Sequence, residues 1–372
     1  MKPLRLAIVG CGQISTQYGE HITQNHPHLL EIAGATDLDS SRVAEFTDRF
    51  GGQAYPDLDA ILADDSVDLL LNLAIHHAHF EINKKALLAR KHVFSEKPMA
   101  LTHAQASELA DLARKNGVRL AAAPATFLGE GLQTAFQFLR SGRTGPLRLV
   151  YAEVNWGQIE RWIGSPTPYF AVGPLMDVGV YALTALAFLL GPVQRVWGVS
   201  RILKNPRLDP AGNPFPVTAP DFTTGLLEYE GGVVARLTTN YYVHAKGMPH
   251  LRGLEFHGDE GSFRIGCFHN FDPACSFVPY QDTAIEVPLV RPAKAVMERA
   301  AGLADLALAL RENRPHRCSA ELAAHVIDVM ESLQLSAVSG HAVDVHSGFP
   351  APAPMEWASP QIPSDTKPIR QT

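Results

Sequence analysis

The stretch LRLAIVGCGQIS, residues 4–15, decides the reading of the fold. Arg5 to Val9 is a short apolar run, Gly10 to Gly12 a turn, and Ile14 to His26 a helical pattern. Strand, glycine turn and helix in that order make a device for holding a dinucleotide pyrophosphate. Gly10 permits the tight turn, and Gly12 lets the backbone approach a phosphate with no Cβ in the way. Gln13 and Ile14 open the helix, whose free N–H groups and positive dipole end face the anion. Ser15 stands where a third small residue is expected, so close helix–strand packing is preserved. Downstream, Leu30 to Thr36 is a second apolar run ending at Asp37, where an acid binds the adenosine ribose hydroxyls. A carboxylate there repels a 2′-phosphate, and Leu38 follows it where an arginine would favour one. NAD is therefore expected over NADP, with Arg42 close enough to touch the nucleotide. The competing reading is that Asp37 only caps the next helix.

The alternation continues outward. Ser41 to Phe50 reads as a helix capped by Ser40 or Ser41, Val67 to Leu73 as a strand, and Phe80 to Arg90 as a helix. His92 to Ser95 is a short strand, Thr102 caps a helix to Asn116 with Gly117 as its stop, and Arg119 to Ala123 is another strand. Repeated βα units predict a doubly wound parallel sheet, an α/β nucleotide-binding Rossmann domain over residues 1–123. After Pro124 the pattern changes. A helix at Gly131 to Leu139 precedes strands at 147–156, 193–202, 223–229, 233–242 and 251–257, with a hairpin turn at Gly231-Gly232. Residues 124–346 are thus expected to form an α/β domain with an open, mostly antiparallel sheet. Asn205 to Pro220 reads as an ordered excursion, and Ala293 to Leu310 and Ala320 to Val338 as helices. The proline-rich tail, 347–372, is expected to be disordered or laid along a neighbour.

The totals fit this picture. The chain has 372 residues, 46% hydrophobic and 19% charged, with a formal net charge of -6. A mild acidic excess argues against nucleic-acid or membrane-surface partners. Cys11, Cys267, Cys275 and Cys318 form no CxxC pair, which points to a reducing cytoplasm. The N-terminus carries no signal-peptide pattern, and the longest apolar run, near Tyr181 to Leu190, falls short of the ~20 residues a bilayer needs.

The chemistry is expected at Glu96-Lys97-Pro98. It follows the His92 to Ser95 strand, on the edge of a parallel sheet where ligands bind. With the glycine turn, GluLysProMetAla at 96–100 and AspValGlyValTyr at 177–181, the chain resembles the Gfo/Idh/MocA oxidoreductases over about residues 4–345. The resemblance implies a nicotinamide-dependent dehydrogenase of sugars, polyols or related cyclic alcohols, oligomeric as a homodimer or homotetramer through the second sheet. It implies that Lys97 touches nicotinamide ribose and substrate, that Glu96 borders the cofactor pocket, and that Asp177 is the second-domain acid. Tyr181 stands where many relatives place histidine, and Thr184 where many place a second acid. In the loop 74–79, Ala74 and Ile75 depart from the family pattern. His79 matches the family histidine, and His76 lies with Ala74 and His79 on the cofactor side.

These residues define a mechanism. Tyr181 would be general base in oxidation and acid in reduction, with the Lys97 ammonium favouring tyrosinate. Asp177 would bind a substrate hydroxyl or hold Lys97, sharing a helix face with Tyr181 by its four-residue spacing. Trp156, Arg161 and Trp162 are candidates to line a sugar pocket, or else belong to the core. His76, His77 and His79 do not converge on one ion easily, so no metal is expected. One rival is a dinucleotide-dependent sensor that has lost turnover. Another is a reductase of cyclic unsaturated or dihydrodiol substrates.

Overall fold

The computed structural model describes residues 2–245 and 248–358. Its first layer is a parallel sheet of six strands in the order β3-β2-β1-β4-β5-β6. The strands are β1 (Leu4–Val9), β2 (Leu30–Thr36), β3 (Gln53–Ala54), β4 (Leu69–Asn72), β5 (His92–Ser95) and β6 (Leu120–Ala122). The order reverses beside β1, between β1 and β4, and a dinucleotide crosses such a sheet at that point. The flanking helices are α1 (Gln13–Asn25), α2 (Ser40–Phe50), α3 (Leu58–Ala63), α4 (His79–Leu88) and α5 (His103–Asn116). Thr102 caps α5 through Gln105 N at 3.2 Å, and Gly117 closes it at φ 68°. The cap of α2 differs from expectation. Asp39, one residue earlier, accepts from Ser41 N at 3.0 Å, because its carboxylate outcompetes the serines.

The second layer is a nine-stranded sheet, β16-β15-β14-β13-β7-β12-β11-β8-β17. Its strands are β7 (Leu147–Asn155), β8 (Val193–Arg201), β11 (Phe222–Tyr229), β12 (Val234–Asn240), β13 (Arg252–Gly258), β14 (Gly261–Ile265), β15 (Cys275–Pro279), β16 (Ile285–Val287) and β17 (Val343–Asp344). Every pairing is antiparallel except β12 with β7. Gly231 and Gly232, at φ 79° and 82°, make the expected hairpin between β11 and β12. The helices are α6 (Glu130–Arg140), α7 (Thr167–Pro174), α8 (Val180–Leu190), α9 (Ala301–Glu312) and α10 (Ala320–Ser339).

One face of this sheet packs on helices. Phe138 of α6 stacks on Phe263 at 4.6 Å, and Gly198 and Gly225 leave room for Leu333 of α10. α10 packs on β8, on α8 and on α5 of the first layer. Ala122 N bonds Cys318 O, so the chain before α10 returns to the edge of β6. The excursion after β8 is ordered. It forms a two-stranded ladder, β9 (Arg207–Leu208) with β10 (Pro214–Phe215), pinned where buried Arg207 donates to Glu160 at 2.7 Å and Asp221 at 2.5 Å.

Three expectations are corrected. Residues 293–300 are not helical, because α9 starts only at Ala301. Val296 O is spent on Phe271 N at 2.7 Å, and Arg299 N on His21 Nδ1 at 2.8 Å, so neither feeds a helix ladder. Residues 348–358 are ordered against their own chain: Arg317 donates to Ala353 O and Pro354 O, and the Arg291 guanidinium covers the Trp357 ring at 3.6 Å. The rest of the tail, 359–372, lies outside the described residues. Lastly, Thr167–Leu190 is one helical stretch of 24 residues, broken at Gly173 (φ 76°) and by a π turn at Leu175–Gly179. By length and composition it is long and apolar enough to cross a membrane, but 94% of its apolar window is buried inside the fold, where it forms the core helix of the second layer.

Candidate active site

The glycine turn is built as its sequence demands. Gly10 sits at φ 98°, and a Cβ there would come within 2.7 Å of Leu73 C and O, so both conformation and space exclude a side chain. Gly12 is the N-cap of α1 without a side-chain cap, and a Cβ there would meet nothing within 4 Å. Ser15 N is taken by Gly12 O at 3.0 Å, and the open space beside Gly12 leaves the start of α1 accessible, which fits a pyrophosphate. Ser15 is buried and its hydroxyl donates to Gly12 O at 2.6 Å, while Gln13 is exposed and Ile14 half-buried. Asp37 is not the cap of α2, a place Asp39 takes. Asp37 Oδ2 accepts from Cys11 N at 2.7 Å and its Oδ1 from Asp39 N at 2.9 Å, so it braces the turn and keeps acceptor capacity for a ribose diol. Leu38 is fully exposed, and the Arg42 Nε lies 3.5 Å from Asp39 Oδ2.

Beyond β5, Lys97 crosses to the second layer. Its Nζ donates to Asp177 Oδ1 at 2.6 Å and to Asp177 O at 2.9 Å, and stands 5.5 Å from the centroid of the Tyr181 ring. Asp177 Oδ2 accepts from Tyr241 Oη at 2.5 Å. Burial works against charge on both members of the pair, yet each prevails through the other. Asp177 and the neighbouring Tyr181 and Glu96 raise the Lys97 ammonium above its ordinary value, and Lys97 with Tyr241 holds the Asp177 carboxyl below its own. Asp177 lies in the π turn and Tyr181 in α8, so the pair meets across a widened turn, a feature frequent at functional sites.

Residues 4–123 match the family described as "Oxidoreductase family, NAD-binding Rossmann fold", and residues 132–264 match the "GFO/IDH/MocA C-terminal domain". The chain belongs to the Gfo/Idh/MocA oxidoreductase family. It is an NAD(P)-dependent oxidoreductase. It is 27% identical over 292 residues to a dTDP-3,4-didehydro-2,6-dideoxy-alpha-D-glucose 3-reductase of Actinomadura kijaniata, covering 74% of this chain and 78% of that one. It is 25% identical over 274 residues to a D-glucoside 3-dehydrogenase of Escherichia coli (strain K12), covering 69% and 76%. The fold is shared with a levoglucosan dehydrogenase solved with NADH and L-sorbose, at a TM-score of 0.78 and 18% identity over 93% of this chain and 100% of that one.

Within this Gfo/Idh/MocA site the remaining candidates separate. Glu96 accepts from Tyr18 Oη at 2.8 Å and from Lys97 N at 3.0 Å, which fixes the lysine's backbone. His79 is a brace: its ring nitrogens lie 2.7 Å from Pro98 O and 2.9 Å from Ala74 O, tying the loop after β4 to the loop after β5 and leaving no free nitrogen for a cofactor. His76 faces the Lys97–Asp177 pair, and burial and then the Lys97 charge push it down to about 4, so it is neutral at working pH. Among the described residues no group of three His, Cys, Asp or Glu stands close enough to hold a metal.

Of the aromatic candidates, only Trp156 reaches the cluster. The Arg252 guanidinium lies 4.0 Å over its ring, and the His269 ring stands 4.4 Å away. Arg161 and Trp162 do not join it. They project from the turn Ile159–Arg161, where Arg161 donates to Gln158 and Trp162 is 65% exposed, because Glu160 is the residue drawn inward by Arg207.

Three residues of the cluster carry no local mark in the sequence. Tyr241 follows the last residue of β12 and anchors Asp177. His269 is buried, its ring 4.1 Å from that of Tyr181, and neither ring nitrogen has a bonded partner among the described residues. Arg299, from the segment before α9, donates to Tyr181 Oη at 3.3 Å.

Proposed function

We propose that this oxidoreductase moves a hydride between a nicotinamide and a secondary alcohol or ketone carbon of a sugar, polyol or related cyclic alcohol. The observation that carries the reading is the meeting of the Lys97 ammonium, from the end of β5, with Asp177 and Tyr181 of the second layer. Bound NAD would supply the hydride acceptor. The first turn of α1 after Gly12 would hold its pyrophosphate, and Asp37 its adenosine ribose; the same carboxylate disfavours a 2′-phosphate, so NAD is preferred over NADP. Two of the three Lys97 N–H groups go to Asp177, which leaves one for a substrate hydroxyl. Asp177, fixed by Tyr241, sets where that donor points. The Tyr181 hydroxyl exchanges the substrate's proton, as base in oxidation and acid in reduction. The sugar names of the relatives support the substrate class. The four free cysteines support a reducing, cytoplasmic setting.

The outer face of the second sheet supports a homodimer or homotetramer. It exposes Leu149, Trp197, Val199, Leu226 and Val278, an apolar patch of the kind that marks an interface.

The test is a turnover screen with NAD and NADP in parallel over D-glucosides, levoglucosan, L-sorbose and inositols. Reduction of NAD by at least one of them, faster than of NADP, is expected. Tight NAD binding with no turnover on any of them would point instead to a nucleotide-dependent sensor.

A further inference from the structure

The proposed acid–base phenol needs a cation bonded at its oxygen, and Lys97 does not bond it. The lysine gives two N–H groups to Asp177 and faces the ring of Tyr181, 5.5 Å from its centroid. The cation that reaches the oxygen is Arg299, whose Nη1 lies 3.3 Å from Tyr181 Oη. Its position is set from the first layer. Arg299 Nε donates to Gln17 Oε1 at 3.2 Å, and Arg299 N donates to His21 Nδ1 at 2.8 Å, both on α1. The helix that begins at the glycine turn therefore also fixes the charge beside the phenol. A guanidinium suits this position because it is planar, gives up little hydration, and stays charged at every working pH.

The other groups around Tyr181 do not compete for its oxygen. His269 lies against the ring and is kept neutral, its burial holding it well below the ordinary histidine value, with Arg252, Lys97 and Arg299 adding to that. Asp177 is spent on Lys97 and Tyr241. Tyr18 and Glu96, which also face Arg299, are bonded to each other.

We propose that Arg299 is the positioning residue of this site: its guanidinium holds the Tyr181 hydroxyl and stabilises the phenolate that takes the substrate's proton, with α1 setting where the cation stands. The proposal rests on the reading of Tyr181 as the acid–base group. In oxidation the alcohol O–H bond breaks and a phenol O–H bond forms. The C–H electron pair leaves as hydride to the oxidised nicotinamide, and Arg299 neither gains nor loses a proton.

The experiment is a pH titration of the full chain by NMR with tyrosine labelled at the ring Cζ, the Tyr181 signal being assigned by its loss in Tyr181→Phe. Replacing the cation by Arg299→Gln is expected to move the Tyr181 titration up by about one pH unit or more, and Arg299→Lys to restore much of the difference. Arg299→Met is a second neutral variant, in case the glutamine disturbs the contact with Gln17. The same titration in wild type and both neutral variants overturns the proposal, as does a wild-type Tyr181 signal that never titrates short of unfolding. A titration that moves while Tyr181→Phe oxidises a D-glucoside at the wild-type rate removes the acid–base reading and leaves only the hold of Arg299 on the phenol. An inactive Tyr181→Phe with an unmoved titration does the reverse.

Discussion

At the scale of single residues, the two glycines of the turn do different work, and the difference is measurable. Gly10 carries φ 98° and would press a Cβ against Leu73. Gly10→Ala is expected to cost roughly 1–3 kcal/mol of stability in denaturant or thermal unfolding, the usual range for a residue forced into a sparsely populated backbone region. Gly12 has ordinary φ and open space above it. Gly12→Ala should leave the fold's stability nearly unchanged and weaken NADH binding in a fluorescence titration, because the methyl occupies the approach of the pyrophosphate. A Gly12→Ala protein that binds NADH like wild type would show that the cofactor lies elsewhere. Such residues are legible in the sequence because their demands are local: a positive φ, a missing Cβ, a cap at Thr102. Tyr241, His269 and Arg299 are not legible there. Each is an ordinary member of its own segment and acquires a role only when distant segments of the second layer come together around Asp177 and Tyr181.

At the scale of elements, tertiary contacts override local pattern. The run from Ala293 to Ala300 has a helix-forming composition, yet Arg299 binds α1 and Val296 binds Phe271, so the backbone stays irregular. The four-residue spacing of Asp177 and Tyr181 reads as one face of an α-helix, yet a π turn lies between them. The short strands β14 to β17 leave little trace in the sequence because a few residues carry little periodic signal.

α10 offers a pH test at this scale. Its His325 is buried; Nε2 accepts from Val193 N at 3.0 Å, and Nδ1 lies 2.9 Å from Ser347 Oγ, joining α10 to β8 and to the chain after β17. Burial first, against a smaller opposing effect of Asp328, pushes it down to about 4. The folded value lies below the unfolded one of about 6.5, so the unfolded chain binds more protons between them. The stability contributed by His325 is therefore full above about pH 6.5 and is lost as pH falls towards 4. His325→Gln should show a smaller fall in melting temperature between these pH values than wild type. An equal fall would mean that protonation of His325 is not part of the acid response.

At the scale of the whole molecule, the open face of the second sheet is the feature that a single chain leaves unexplained. Trp197 pairs with Leu226 across β8 and β11, and Leu149 with Val234 across β7 and β12, each pair aligned on the outer face. A stable interface buries roughly 800 Å² per partner. Light scattering on the wild-type chain is expected to give a dimer or tetramer, and the double variant Trp197→Glu with Leu226→Lys a monomer that keeps its fold. A monomeric wild type would remove this assembly.

The same scale carries the catalytic account, since Lys97 and Tyr181 come from different layers and meet only because α8 starts where β5 ends. The most direct measurement is the single-turnover rate of NAD reduction by Tyr181→Phe, taken with the best substrate of the screen and alongside NAD affinity. A loss of about 10²-fold or more in the hydride step with unchanged affinity is expected, the usual contribution of a positioned acid–base group; a rate equal to wild type would contradict the assignment of the phenol.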